Sequence, residues 1–187
     1  LDATPIMGAR GQVVYGNLNW SPRELLGVGP GFIVTRNWKV HRGVFFTDRD
    51  ITSAAQVCVL GRRVVKELFQ TMDPVGETVR IANIPFRVIG VLEEKGANIV
   101  GEDEDNIAVV PYTTVAQRIY RTKFRNVGAV LASAKSPELM SRAENEIRQL
   151  LMERHRIAPG NPADFTVQNT KQFANALGKV TGVMTLL

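Results

Sequence analysis

Short apolar runs, alternating or continuous, crowd the first two thirds of this chain, and the last third changes to apolar positions spaced by three and four. A period of two marks a strand and a period near 3.6 marks a helix, so the elements follow from the spacing. Gln12-Val13-Val14-Tyr15 predicts a short strand closed by Gly16-Asn17, and residues 23–28 predict a second, broken by Gly29-Pro30-Gly31. Phe32-Ile33-Val34 with Trp38 and Val40 predicts one amphipathic turn, ending in the turn signal His41-Arg42-Gly43. Residues 55–60 are apolar and rich in β-branched types, a strand that stops at Gly61 and leads into a helix with apolar positions 64, 65, 68 and 69.

After the turn Asp73-Pro74-Val75-Gly76, residues 78–81 and 86–92 predict a hairpin. Its connection, Ala82-Asn83, demands positive φ, which Asn tolerates and Ala resists. Residues 107–111 predict a buried strand ending at Pro111, followed by a helix from Thr113 or Thr114 to about Tyr120. Residues 127–131 predict another strand. Ser136-Pro137-Glu138 then supplies an N-cap, a proline at the first helical position and an acid in the first turn. Leu139, Ala143, Ile147, Leu150 and Leu151 form the stripe of a helix running to Pro159, roughly 30 Å long at 1.5 Å per residue. Phe165-Thr166-Val167 predicts a strand. Thr170 caps a last helix with apolar positions Phe173, Leu177, Val180, Met184 and Leu187, whose pattern is still open at Leu187, as expected of an excised domain.

These elements predict an α+β fold in two lobes. A βαβ-like lobe is built from both chain ends, residues 1–37 plus 122–187, and a β-rich lobe, residues 38–121, is inserted between them.

The length of 187 residues and a hydrophobic content of 44% suit one compact unit or two subdomains sharing a core. The net charge of +5 raises nucleic acid or anionic lipid as partners. The cations, however, are scattered on amphipathic stretches with few stacking aromatics, so we expect no nucleic-acid partner.

Chemistry is harder to find. Cys58 is single and lies in the apolar run Val57-Cys58-Val59-Leu60, which makes it a core residue. His41 and His155 have no second ligand at helical or strand spacing. The run Glu102-Asp103-Glu104-Asp105 lacks the spacing of a calcium loop and reads as a solvated, mobile loop. Gly27-Val28-Gly29-Pro30-Gly31 lacks the Gly-Lys-Ser/Thr of a phosphate loop and reads as a structural turn. No nucleophile with a base can be assembled, so we expect no enzyme, no cofactor and no metal.

The segment from Gly27 to Pro111 resembles the periplasmic core domain of MacB-like ABC transporter permeases. The resemblance rests on Gly31-Phe32-Ile33-Val34-Thr35-Arg36-Asn37-Trp38 followed by Arg42-Gly43-Val44-Phe45-Phe46-Thr47, on Val57-Cys58-Val59-Leu60-Gly61, on Leu68-Phe69 with the stretch from Asp73 to Ile81, on Pro85 to Leu92, and on Val109-Val110-Pro111-Tyr112-Thr113-Thr114. Two departures are Ala82-Asn83 in place of the more usual Asn-Gly, and Cys58 where an aliphatic is common.

The resemblance implies a domain on the outer side of an inner membrane, periplasmic where an outer membrane exists and extracellular otherwise. It implies mechanotransmission: ATP hydrolysed in a cytoplasmic ATPase domain or subunit moves this domain through its helices. It implies a homodimer that works with a periplasmic adaptor protein and an outer-membrane channel in the efflux of drugs, peptides or lipoproteins. Gly61, Asp73, Pro74, Gly76, Gly90 and Pro111 then become structural turn residues, and Phe173, Leu177, Val180 and Met184 mark the helix leading to the membrane. The competing reading is a free-standing extracytoplasmic ligand-binding module.

Overall fold

A computed structural model describes residues 2–98, 101–122, 127–158 and 160–169. Along the chain run β1 (Asp2–Ala9), β2 (Val13–Tyr15), β3 (Leu18–Trp20), β4 (Glu24–Val28), α1 (Phe32–Thr35), β5 (Val40–Gly43), α2 (Asp48–Thr52), β6 (Val57–Leu60), α3 (Arg62–Phe69), β7 (Thr78–Ile81), β8 (Ile84–Leu92) and β9 (Ile107–Pro111). After β9 come α4 (Tyr112–Thr114), a π-turn (Val115–Ile119) and β10 (Ala129–Ser133), and then a 3-10 turn (Pro137–Leu139) that opens α5 (Met140–Arg154). Residues 2–133 form one compact unit, and the described residues from Ala134 belong to another.

All ten strands of the first unit join one mixed sheet in the order β10-β1-β4-β9-β6-β8-β7-β2-β3, with β5 paired to β8. Strands β4 and β9 run parallel, from Glu24 opposite Ile107 to Val28 opposite Pro111, so residues from before and after position 37 share a ladder. Both faces are packed at the centre. Cys58, Leu60, Ala108 and Val110 face a core formed with α3 residues Val64, Leu68 and Phe69. Val57, Val59, Ile107 and Val109 face a second core holding Phe32, Trp38 and Phe46. Because neighbours on a strand point to opposite faces, β6 and β9 are buried at every position, which is why both read as continuous apolar runs.

Several boundaries differ from expectation for identifiable reasons. β1 carries Pro5 and Gly8, which disfavour a strand by pattern. Pro5 sits opposite Val130 of β10, in the part of β1 that precedes its pairing with β4 at Ile6, so its missing N–H breaks no ladder with β4. His41-Arg42-Gly43 is strand β5 rather than a turn, because it pairs with the outer half of β8. Gly16-Asn17 turns into a further strand, β3, and α2 is held by a capping box between Thr47 and Asp50. The hairpin connection holds: Ala82 has φ 50° and Asn83 φ 64°, the left-handed pair that a two-residue turn needs. The helix after β9 forms as three α residues and a π-turn. The acidic run is not a mobile loop, as the next subsection describes.

In the second unit Ser136 makes no side-chain cap hydrogen bond. Helix α5 ends at Arg154 instead of Pro159, about 22 Å long. A Schellman motif stops it. The Ile157 N–H donates to the Met152 carbonyl at 3.0 Å and the Arg156 N–H to the Glu153 carbonyl at 3.0 Å, with Arg156 at φ 56°. Arg156 takes the left-handed position that glycine usually marks. Phe165-Thr166-Val167 forms no strand. Phe165 lies edge-on to His155 at 5.6 Å, and Asp164 pairs with the same imidazole at 2.8 Å.

Candidate functional site

Among the described residues the densest polar arrangement surrounds residues 93–105, between β8 and β9. Asp105 is 5% exposed, and its two carboxylate oxygens accept the Lys95 and Gly96 N–H groups, each at 2.8 Å. Charge-assisted bonds of that length compensate its desolvation. Asp103 Oδ1 accepts the Asp105 N–H at 2.9 Å, and the Glu104 N–H donates to the Gly96 carbonyl at 3.0 Å. The repulsion expected within the acidic run is thus spent on backbone donors that close the loop. The described part of the loop is hydrogen-bonded to itself, with Asp105 buried and Glu102 exposed.

Side chains from β4, α1 and the following segment clasp its outer side. Arg23 pairs with Glu102 at 2.6 Å and with Glu24 at 3.2 Å, and Glu24 also takes Arg36 at 3.2 Å. The Arg23 guanidinium and the Asn98 amide hold the exposed Glu102 carboxyl below the ordinary carboxylate range. Lys95 places its ammonium 4.5 Å from the Trp38 ring and donates to the Arg36 carbonyl at 2.7 Å, while Trp38 Nε1 donates to the Glu93 carbonyl at 2.8 Å. Sequence reasoning missed this clasp. Its available signal was Asp103 and Asp105 alternating directly before a buried strand.

The six expected turn residues have the following places. Gly61 caps α3 where the Asp105 backbone crosses it; a Cβ there would collide with the Asp105 carbonyl oxygen and with Ile107. Gly90 lies under β5, and a Cβ would meet the Val44 carbonyl oxygen. Asp73 Oδ1 accepts the Val75 N–H at 3.2 Å and the same carboxylate pairs with Arg42 at 2.6 Å. Pro74 is buried, and Gly76, at φ 97°, donates its N–H to the Val88 carbonyl. Pro111 ends β9 and caps α4. Phe173, Leu177, Val180 and Met184 lie outside the described residues.

Little here can perform a reaction. Burial pushes the Cys58 thiol far above its ordinary value, against thiolate chemistry. His41 is exposed on β5, and His155 is occupied with Asp164. The Gly29 N–H already donates to the Thr4 hydroxyl oxygen at 3.0 Å, so the glycine-rich stretch after β4 has that amide committed within the fold. An open cleft beside α3 has Arg62, Arg63 and Lys66 on one wall and Glu94 and Asp103 on the other. Among the described residues no cluster of three or more His, Cys, Asp or Glu side chains is placed to hold a metal ion. No described helix is long and apolar enough to cross a membrane.

A family model, described as the MacB-like periplasmic core domain, matches residues 1–150. The chain belongs to this family. Other members are similar across almost all of its length. It is 34% identical to the macrolide export ATP-binding/permease protein MacB of Syntrophobacter fumaroxidans, over 100% of this chain and 33% of that protein. It is 33% identical to the pyoverdine export ATP-binding/permease protein PvdT of Pseudomonas aeruginosa, over 98% of this chain and 26% of that protein. The chain spans about a third or less of the length of the curated relatives it matches.

Its fold is similar to the crystal structure of the periplasmic region of MacB from Actinobacillus actinomycetemcomitans, with TM-score 0.72 and 25% identity over 94% of this chain and 75% of that one. The extracellular domain of the ABC-type transporter YknZ from Gram-positive bacteria shares the fold at TM-score 0.70 and 21% identity, over 90% and 81% of the two chains. The α+β class expected from the pattern is that of MacB-like periplasmic core domains.

Proposed function

We propose that this chain is the extracytoplasmic part of an ABC-type export permease, passing ATP-driven movement across the membrane and docking a periplasmic adaptor that feeds an outer-membrane channel. The observation that carries the reading is the family match over residues 1–150, joined to relatives that are ATP-binding/permease export proteins several times longer than this chain. ATP is hydrolysed in a separate cytoplasmic domain or subunit, and two copies of the full protein work together. The segment bearing Phe173, Leu177, Val180 and Met184, expected from its spacing to be a helix, brings the movement in. Residues 1–37 with 122–187, and residues 38–121, respond as two lobes.

The packing supports such a relay. The boundary at residue 37 is bridged by the parallel β4–β9 ladder, so force entering through either strand is borne by backbone hydrogen bonds. Gly61, Asp73, Pro74, Gly76, Gly90 and Pro111 act as shape residues that keep the turns stiff, with no part in ligand binding.

Cys58 is fully buried, so a direct test needs only that cysteines elsewhere in the full-length protein be replaced by serine. A spin label on Val44→Cys, at a position 63% exposed, reports the distance between the two copies of the full-length protein in nanodiscs. The distance distribution is expected to shift between the nucleotide-free and the vanadate-trapped ATP states. An identical distribution in both states overturns the reading.

A further inference from the structure

The sheet face that carries Phe32, Trp38 and Phe46 is covered over β4, β9 and β6 and bare over β7, β2 and β3. The change happens at Arg87, which pairs with buried Val57 of β6 on one side and with exposed Thr78 of β7 on the other. Beyond it, Arg80 of β7 stands between Pro85 of β8 and Val14 of β2, and Asn19 of β3 follows Val14. Thr78, Arg80, Pro85, Arg87 and Asn19 are exposed and Val14 is half-buried.

The register makes Arg80 and Arg87 diagonal neighbours on adjacent strands, roughly 7–8 Å apart. Among the described residues neither guanidinium has an ion pair or a side-chain hydrogen bond; the carboxylate nearest in sequence, Glu77, instead accepts the Tyr15 hydroxyl at 3.0 Å, and Tyr15 packs on Phe69 in the opposite core. Two like charges this close on a two-residue hairpin repel one another. A carboxylate from outside would relieve both.

We propose that this bare face docks an extended segment of a partner protein carrying two carboxylates separated by one residue. Alternate side chains of a strand share a face and repeat at about 6.6–6.8 Å, close to the diagonal spacing at which the two arginines leave the sheet. Each guanidinium can hold a carboxylate through two parallel N–H donors, a geometry that lysine could not reproduce. Val14 and Pro85, beside Arg80 on the same face, provide an apolar floor beneath the backbone of the docked segment. Two arginines fall short of the four to eight cations by which proteins recognise anionic membrane surfaces, so a lipid surface is not the occupant. The inference stands on the sheet alone and is independent of the export role.

The probe is a fluorescein-labelled, end-blocked heptapeptide with Glu-Val-Glu at its centre, read by fluorescence anisotropy on the folded chain at low salt. Arg80→Gln with Arg87→Gln is expected to weaken binding at least about tenfold. Replacing both glutamates of the peptide by glutamine is expected to do the same on the unaltered protein, so the answer survives even if the double variant misfolds. Arg118→Gln, an exposed arginine on the π-turn, is expected to leave binding unchanged. Equal binding by the double variant, equal binding of the glutamine peptide, or no binding at all overturns the proposal. Arginine-dependent capture by phosphatidylglycerol vesicles in preference to the peptide also overturns it.

Discussion

The loop between β8 and β9, residues 93–106, and the tip of the β7–β8 hairpin, Ala82-Asn83, both connect strands consecutive in the chain, yet the fold treats them differently. The first leans on Gly61 and sends a carboxylate into its own interior; the second stands exposed with Ala82 held at φ 50°. Close packing beside the sealed strands β6 and β9 fixes the first, whereas a left-handed pair exposed to solvent shapes the second.

The contrast is broken most severely at Gly61. Its backbone angles suit any residue, so the requirement for glycine is one of space alone. Gly61→Ala pushes a methyl group into the Asp105 carbonyl, which must shift together with the loop. We expect a loss of about 3 kcal/mol, within the range of overpacked cores, measurable by urea denaturation. Asp105→Ala tests the same contact from the other side. It leaves the Lys95 and Gly96 N–H groups without their acceptor in a partly buried place, and about 2 kcal/mol is expected to be lost. Asp105→Asn, which keeps one acceptor oxygen, should lose less than the alanine.

At the hairpin tip the expected sign reverses. Ala82→Gly relieves a left-handed alanine and should raise stability by about 1 kcal/mol, set by a gain from the lost steric clash and a smaller entropic cost in the unfolded chain. A decrease in the denaturation midpoint would mean that Ala82 is supported by contacts, such as the neighbouring Gly11 backbone, more than it is strained.

How far the sequence carried the reading follows the same division. β6 and β9 were legible because a strand buried on both faces has a continuous apolar signature that few other elements imitate, β8 because it follows the turn Ala82-Asn83, and α3 because its apolar positions keep helical spacing. β1 was hidden by Pro5 and Gly8, since its suitability depends on which neighbour each residue pairs with. β5 was hidden because His41-Arg42-Gly43 has turn composition and only the presence of β8 makes it a strand. The stop of α5 was hidden because Arg156 occupies a position that glycine normally announces. In the clasp, the residue types were visible but not their partners: Trp38 and Lys95 lie far apart in sequence, and the distance from Arg23 to Glu102 is longer still. Arg80 and Arg87 could have been found. With Ala82-Asn83 as the turn, counting outward places Arg80 opposite Pro85 and Arg87 opposite Thr78, on the same face.

The smallest expected effect lies at the outer margin of the loop, where Glu102 and Arg23 meet in solvent. Arg23 and the Asn98 amide favour the charged form of Glu102, so its folded pKa is lowered relative to the unfolded chain. The sign follows from linkage. A lowered carboxyl contributes stability above its unfolded value, ordinarily about 4.3, and that contribution disappears as the pH falls through the folded value. Glu102→Gln should therefore flatten the acid limb of the stability–pH curve below about pH 5 and leave the curve near neutrality almost unchanged, because both partners are open to water and salt screens them. The difference between the two proteins should shrink further as ionic strength rises. A Glu102→Gln effect that persists at high salt would place this ion pair with Asp105, inside the sealed region, and would move the boundary between the two regimes outward to β4.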